Sequence, residues 1–474
     1  MPSEPRSEPA RPDLDPLPDL DARPDLDLRT AAAKVLRAND RGTMTVAAPE
    51  LYPHQWSWDA AFVAAGIAHL SIPRACVELD SLLAGQWRTG MIPHIVFSAE
   101  TDAPPYFPGP EWWRAHELAA AAPAGVLTSG ICQPPVHAIG LGQIMRLARS
   151  RGGEDARVAA EFGRRIWPAL YAWHRWLITA RRDSECGLIA IVHSWESGLD
   201  NSPRWDAPYA AVPTGPLPPY ARRDIGVVDD ESQRPSDLEY NRYLWLVEEL
   251  KHARYDDAAI AEQGSFRVGD VFFTAILAVA CDELADLADG LTPPLAAHSV
   301  ADLRTWASEL RDAVAAAIDP VTGLARDYDI RAGTWIDPAP DPTPPDTIAG
   351  FAPLLCGGLP PEAEQAMFAA FDGPDWCGHP ELVVPAPPST SLVSPALDRR
   401  RYWRGPLWPV AIWLYGWALR RRGFGDRADA LADAGLRLVC DGQFAEYYEP
   451  VTGEALGSSD QSWTAAVALD WLTP

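Results

Sequence analysis

The chain has little or nothing of several features that mark large protein classes. Lysine occurs only as Lys34 and Lys251, and 65 acidic residues against 40 basic ones give a formal net charge of −25. Such an acidic surface disfavours nucleic acid and anionic membranes as partners. Apolar runs long enough to cross a bilayer are absent, and the first residues have no apolar signal-peptide core. We therefore expect a soluble, cytoplasmic protein.

Recurrent ligand-binding spacings are also missing. The seven cysteines form no CxxC pair, and an odd, scattered set is typical of reduced thiols rather than of a disulfide framework. The chain has no HExxH or HxxxH pair and no GxxxxGK or GxGxxG loop. We therefore expect no catalytic metal and no nucleotide or other cofactor. Both a monomer and a homo-oligomer are compatible with the sequence.

Tryptophan, in contrast, is abundant, with 20 residues in 474. Indole rings can fill a hydrophobic core. Clusters of them beside turns also line carbohydrate sites, because an aromatic face covers the apolar face of a sugar ring. The positions of the tryptophans therefore matter more than their number.

Residues 1–28 repeat the tetrapeptide Pro-Asp-Leu-Asp three times and are predicted to be a disordered acidic tail. From residue 29 onward, apolar positions recur at helical spacing, and we expect residues 29–474 to form a single domain. Predicted helices begin near residue 28 and then cover 57–71, 73–86, 134–151, 155–181, 235–254, 268–289, 299–317, 345–355, 361–371, 406–422, 425–440 and 460–472. Two short strands are predicted, at 187–193 and 324–329.

Twelve helices joined by loops of very unequal length predict an all-α fold, in which six helical hairpins close into an (α/α)6 barrel. The long connections 88–132, 184–233, 372–405 and 441–459 hold most of the aromatic and charged residues outside helices. If these loops meet at one end of the barrel, they form a pocket there, since functional residues commonly lie on loops of a rigid scaffold.

The loop at residues 193–206 is the densest of these segments. It contains the carboxylates Glu196, Asp200 and Asp206 and the tryptophans Trp195 and Trp205. Carboxylates perform the acid and base steps of glycoside cleavage, and the indoles would hold a sugar. The alternative is a surface loop that is anchored in the core by its tryptophans.

Three further clusters lie beside predicted helix ends, at 52–59, 401–408 and 444–454. Each has a structural alternative, such as a capped helix with buried indoles or a strut of stacked arginine and aromatic side chains. In the last cluster, spacing does not decide whether Glu446 or Glu449 faces a pocket. A single site shared by these clusters explains them more simply than a separate structural role for each of them.

The motifs Asp200-Asn-Ser-Pro-Arg-Trp, Tyr402-Trp-Arg-Gly-Pro-Leu-Trp and Glu446-Tyr-Tyr-Glu-Pro-Val-Thr-Gly-Glu resemble those of glycoside hydrolase family 63. That family groups processing α-glucosidases with bacterial mannosylglycerate and glucosylglycerate hydrolases. The resemblance runs from about residue 30 to residue 472, with the motifs in the family's order. It implies an (α/α)6 barrel and an inverting mechanism.

The resemblance also implies roles for particular residues. It matches Asp200 to the general acid and Glu446 to the general base. The residues that it matches to the sugar subsite are Tyr52, Trp56, Trp58, Asp59, Gln133, Tyr402, Trp403 and Trp408. The residues that it matches to the glycerate end of the substrate are Arg234, Tyr240 and Gln461. We expect Tyr106, in a proline-rich loop, to sit on a lid over the pocket.

The chain is short, like the glycerate-glycoside hydrolases of this family and unlike its larger glucosidases. We therefore expect hydrolysis of glucosylglycerate or mannosylglycerate, which releases glucose or mannose and glycerate, with the two carboxyl groups about 6.5–9.5 Å apart. Three alternatives stay open: an α-glucosidase of the same family that acts on a small glucosyl oligosaccharide, an (α/α)-barrel phosphorylase, and a non-catalytic sugar-binding protein.

Overall fold

The computed structural model of the protein describes residues 27–98, 106–226, 230–291, 297–336 and 347–473. The helices in these ranges are α1 (Leu28–Asn39), α2 (Ser57–Ala68), α3 (Ile72–Ala84), α4 (Pro110–Trp113), α5 (Ala115–Leu118), α6 (His137–Arg151), α7 (Gly153–Trp176), α8 (Asp206–Ala210), α9 (Asp237–His252), α10 (Asp257–Gln263), α11 (Val271–Asp289), α12 (Ala297–Ala316), α13 (Ala352–Cys356), α14 (Pro361–Phe371), α15 (Pro409–Arg421), α16 (Gly425–Leu438) and α17 (Ser462–Trp471). The strands are β1 (Gln55–Trp56), β2 (Ile95–Val96), β3 (Ile189–Ile191), β4 (Val268–Asp270), β5 (Tyr328–Asp329), β6 (Thr334–Trp335), β7 (Tyr447–Tyr448) and β8 (Ala455–Leu456).

Six helices form a closed inner ring. Going round it, α2, α6, α11, α13, α15 and α17 each contact the next, and α17 packs back on α2. Every residue of α2 is buried, as expected for a helix that has neighbours all round. Outside the ring, α1, α3, α7, α12, α14 and α16 complete the hairpins. The predicted all-α (α/α)6 barrel is confirmed.

The short strands gather before the inner helices. β1 runs directly into α2 and β4 directly into α11, while the β7–β8 hairpin precedes α17. Strands β3, β4, β5 and β6 form an antiparallel sheet in that order, and β1 pairs with β2. The loops that lead into the inner helices therefore share one end of the barrel, where the predicted pocket is expected.

Several predicted helix bounds are wrong. The predicted helix 268–289 begins three residues later, because Asp270 ends β4 and accepts hydrogen bonds from the first amides of α11. In the predicted helix 345–355, a 3₁₀ turn at Ile348–Phe351 precedes the short α13, whose second residue is Pro353. Helix α10 was not predicted, and both predicted strands are shorter than expected. The predicted tail lies outside the described residues, apart from its last two positions.

The prediction for 155–181 is confirmed in extent but not in type. After α7, the chain continues as a π-helical turn at Leu177–Arg181. Within the described part of the chain, no helix is long and apolar enough to cross a membrane.

The backbones of the first and the last inner helix come very close together where the ring closes. A Cβ atom added to Gly66 of α2 would lie 2.4 Å from the Cα atom of Ala466 in α17. Glycine at this position thus lets the first and last inner helices meet. Gly416 in α15 offers a contrast, since an added Cβ there would come no nearer than 3.7 Å to another atom.

We predict that Gly66→Ala destabilises the barrel by about 1–3 kcal/mol, because the added methyl group forces α2 and α17 apart. Gly416→Ala is the matched control: the same methyl group fits, and the helix gains about 0.5–1 kcal/mol from the better helix former. Thermal unfolding of both variants measures the difference. Equal melting temperatures for the two would contradict a ring that depends on this contact.

Candidate active site

A pocket opens at the end of the barrel where the loops gather. Thirteen of the fourteen residues named from the sequence line it: Tyr52, Trp56, Trp58, Asp59, Tyr106, Gln133, Asp200, Arg234, Tyr240, Tyr402, Trp403, Glu446 and Gln461. They come from two parts of the chain far apart in sequence, residues 52–240 and 402–461, which loops gathered at one end of the barrel bring together. The fourteenth, Trp408, does not line the pocket.

Glu446 stands at the start of the β7–β8 hairpin and is buried. Its Oε1 accepts a hydrogen bond from the Tyr52 hydroxyl at 2.9 Å. Its Oε2 accepts from the backbone amide of Ser458 at 3.0 Å and from Nη2 of Arg234 at 3.3 Å. These three donors, one of them charged, fix the direction of the carboxylate.

Glu449 has a different role, which spacing alone did not reveal. Its carboxylate accepts from the amide of Val451 at 2.8 Å and lies 3.2 Å from Nε of Arg399. It therefore closes the tip of the hairpin and does not line the pocket. Of the two candidates in this segment, Glu446 is the one at the site.

Asp200 reaches the pocket from its loop and stays partly accessible there. Burial among the surrounding side chains, and secondly the charge of Glu446, raise the pKa of Asp200 to about 7. The same two causes raise the pKa of Asp59 well above its usual range. Apart from Asp224, which pairs with Arg222, the pocket thus holds two carboxyl groups that favour the protonated form beside Glu446, which is paired with a guanidinium.

The other charged residues of the 193–206 loop anchor it. Glu196 is buried and pairs with Arg181 at 2.8 Å, and Asp206 pairs with Arg404 at 2.6 Å. Arg204 lies buried between two aspartates, Asp270 and Asp327, and its guanidinium carbon is 4.0 Å from the ring centroid of Trp205. These residues therefore anchor the loop in the protein, as in the structural alternative. Asp200 is the acidic residue of the loop that lines the pocket.

Aromatic rings form two layers on one wall. Trp403 lines the pocket, and Trp408 stacks behind it with ring centroids 3.8 Å apart and planes 4° from parallel. Trp408 also donates its indole N–H to the carbonyl of Tyr402 at 3.3 Å. The sequence pattern marked both tryptophans. In the structure, Trp403 faces the pocket, whereas Trp408 packs behind it.

Arg234 is placed against Glu446 and Tyr52 rather than apart from them. It donates from Nη1 to the Tyr52 hydroxyl at 2.9 Å, and its guanidinium lies 5.1 Å from the ring centroid of Tyr402. Its Nε is buried and has no hydrogen-bond partner among the described residues.

The other residues that were matched to the aglycone also line the pocket. The Tyr240 hydroxyl donates to the carbonyl of Phe107 at 3.3 Å. Gln461 directly precedes α17, and its side-chain oxygen accepts a hydrogen bond from Ser458 Oγ at 2.7 Å. Tyr106 meets Trp56 edge-on, with ring centroids 5.2 Å apart. The residues directly before Tyr106 lie outside the described part of the chain.

The sequence analysis missed several lining residues: His94, Phe107, Trp195, Gly198, Arg223, Asp224, Tyr243 and Trp463. Trp195 stood inside the marked loop 193–206, so its indole was a usable signal, whereas Trp463 lies beyond the marked cluster 444–454. Gly198 has positive φ, and an added Cβ would lie 2.7 Å from the Trp58 indole, which makes its backbone part of the wall. His94 and Tyr243 carried no distinguishing pattern.

The chain is similar to known glycoside hydrolases over nearly its whole length. The family model for the mannosylglycerate hydrolase MGH1-like glycoside hydrolase domain matches residues 52–464. The glucosylglycerate hydrolase of Mycolicibacterium hassiacum is 54% identical, over 94% of this chain and 97% of the relative. The mannosylglycerate hydrolase of Thermus thermophilus is 38% identical, over 93% of this chain and 99% of the relative.

A solved structure agrees with these relatives. A family 63 mannosylglycerate hydrolase from Thermus thermophilus, in complex with Tris and D-glycerate, superposes with a TM-score of 0.82. It is 38% identical in sequence, and the match covers 94% of this chain and all of that one. The chain therefore belongs to the mannosylglycerate hydrolase MGH1-like glycoside hydrolases of family 63.

Proposed function

We propose that this glycoside hydrolase cleaves glucosylglycerate to glucose and glycerate. The observation that carries the proposal is the pairing, in one pocket, of Asp200, whose pKa is raised to about 7, with Glu446, which three donors hold in place. The 54% identity to a glucosylglycerate hydrolase favours glucose as the sugar. Membership of the hydrolase family leaves the non-catalytic alternative without support.

The proposed mechanism is a single displacement with inversion. Asp200, protonated, donates its proton to the glycosidic oxygen as the bond to the anomeric carbon breaks. Glu446 removes a proton from a water molecule that attacks the opposite face of the sugar ring. Tyr52 and Arg234 orient the Glu446 carboxylate toward that water. Trp58 and Trp403 supply apolar walls for the ring.

The glycerate end is proposed to meet Arg234, Tyr240 and Gln461, which all line the pocket. A guanidinium fork suits a carboxylate, because two parallel N–H groups match its two oxygens. Arg234 would then contact both the substrate and Glu446, so that the glycerate helps to set the position of the base. Tyr106 is proposed to cover the occupied pocket as a lid.

Mannosylglycerate is a second candidate substrate. Relatives of 38% identity from Selaginella moellendorffii and Thermus thermophilus are mannosylglycerate hydrolases. The two sugars differ only in the direction of the 2-hydroxyl group, so one pocket can accept both.

Two further proposals concern the whole protein. The seven cysteines, six of them buried and none in a CxxC pair, support a reducing compartment such as the cytoplasm. The inner ring is complete within one chain, which supports a single catalytic domain from residue 29 onward.

The proposed function predicts the products and their stereochemistry. NMR of the reaction should show β-glucose appearing first from the α-glycoside, together with free glycerate, and mutarotation should follow later. Maltose, isomaltose and kojibiose serve as comparison substrates and should be cleaved far more slowly. α-Glucose appearing first would overturn inversion, and faster cleavage of a disaccharide would overturn the substrate.

The assigned acid and base predict large losses of turnover. Asp200→Asn and Glu446→Gln should each lower kcat by about 10³-fold or more, because each removes a proton-transfer group from the transition state. Glu454→Gln is the control, since Glu454 lies at the exposed end of the same hairpin and pairs with Arg400. Circular dichroism checks that the variants fold. Near-normal turnover in either catalytic variant contradicts the assignment.

The raised pKa of Asp200 predicts a basic limb in the pH profile. Asp200 acts in its protonated form, so activity is present below its pKa and is lost as the pH rises through about 7. We expect kcat/KM to fall tenfold per pH unit on the alkaline side of that value. Thermal unfolding over the same range separates this loss from denaturation. A profile that stays flat up to pH 9 would contradict the role.

A further inference from the structure

A second cavity adjoins the substrate pocket at the proposed acid. Its volume is about 220 Å³, and Asp200 and Tyr243 belong to the walls of both spaces. The remaining walls include Asn201, Ser202 and Arg242. We refer to this space as the back cavity. Nothing in the proposed hydrolysis uses it.

The back cavity leads from Asp200 to the protein surface. Its lining includes Asp206, whose side chain is 56% exposed, and Arg242, which is half-buried. Asn201 and Ser202, next to Asp200 in the chain, are buried. The cavity therefore connects solvent with a residue whose other side faces the substrate.

The walls of the back cavity are polar and incompletely satisfied. Asn201 donates from Nδ2 to Glu239 at 2.9 Å, but its Oδ1 has no partner among the described residues. Nε of Arg242 is also buried without a partner there. Buried polar atoms are nearly always hydrogen-bonded, to protein or to ordered water. A cavity of this size and polarity has room for several water molecules, each of which needs about 30 Å³.

An inverting hydrolase has a proton balance to restore after each cycle. Asp200 ends the cycle as a carboxylate, because its proton has gone to the oxygen of the leaving glycerate. Glu446 ends it protonated, by the proton from the attacking water. The enzyme returns to its starting state when Glu446 releases that proton to solvent and Asp200 takes another proton from solvent. Bound products and a closed lid would obstruct this exchange through the substrate pocket.

We propose that the back cavity holds a chain of water molecules through which Asp200 regains its proton from solvent while the products still occupy the pocket. This inference rests on the proposed hydrolysis, in which Asp200 is the acid. The proton moves along hydrogen bonds from water to water and ends on the Asp200 carboxylate. No bond other than O–H bonds is formed or broken, and no additional reactant is consumed.

The test compares Ser202→Val with Ser202→Thr. The two side chains have the same shape, but valine makes the wall of the back cavity apolar where threonine keeps a hydroxyl group. Rapid-quench assays with glucosylglycerate measure the first turnover and the steady state separately. For Ser202→Val we expect a first-turnover rate within about twofold of wild type, a kcat about tenfold lower, and a burst of one glucose per active site. Ser202→Thr should show no burst.

Arg242→Met provides a second variant at the outer part of the cavity, on helix α9 and away from the sugar. It should show the same burst. Small diffusible acids such as imidazolium should then restore kcat in proportion to their concentration, because they deliver the missing proton. A merely structural defect would not respond to the buffer.

Each outcome bears on a different claim. If the wild type does not hydrolyse the substrate, the proposed function fails. If the wild type is active but kcat is unchanged in Ser202→Val and Arg242→Met, the proton route fails and the hydrolysis stands. A fall of the first-turnover rate together with kcat, or a lower kcat that buffer does not restore, also overturns the route.

Discussion

The ion pair between Arg234 and Glu446 is the interaction on which the site depends. Asp59, Asp200 and Glu446 are three of the four carboxyl groups that line the pocket, and the guanidinium of Arg234 contacts only Glu446 among these three directly. Burial penalises a charge that lacks a partner, so Asp59 and Asp200 favour the neutral form. One cation thereby distinguishes the carboxylate that we propose as the base from the carboxyl group that we propose as the acid.

Much of the fold and the position of the site follow from the sequence by elementary rules, whereas the individual site residues follow from the resemblance to family 63. Helices that are apolar on every side, such as α2, must lie inside a ring of other helices, and the barrel follows from their number. Aromatic and acidic residues beside the starts of those helices must then meet at one end. Helix α10 and the 3₁₀ turn at Ile348–Phe351 escaped prediction, because short segments beside proline and glycine carry little periodic signal.

What the sequence could not supply was the partner of each charged side chain. Glu196, Asp200 and Asp206 are equivalent candidates in the sequence of the loop. In the structure, Glu196 forms an ion pair with Arg181, and Asp206 forms one with Arg404, which is 198 positions away. The same applies to Trp408, which differs from its neighbour Trp403 only in the side of the loop that it faces. Such assignments depend on contacts between distant segments, which the local spacing of residues does not predict.

The closure of the ring between its first and last helices has a consequence for how the protein folds. The hydrogen bond from Tyr52 to Glu446 joins residues 394 positions apart, and α2 lies against α17 at Gly66. A fragment that ends before residue 446 contains Asp200 but lacks Glu446, the β7–β8 hairpin and α17. The ring and the pocket can therefore be completed only after the first and the last inner helix have met, and we expect no partial activity from such a fragment.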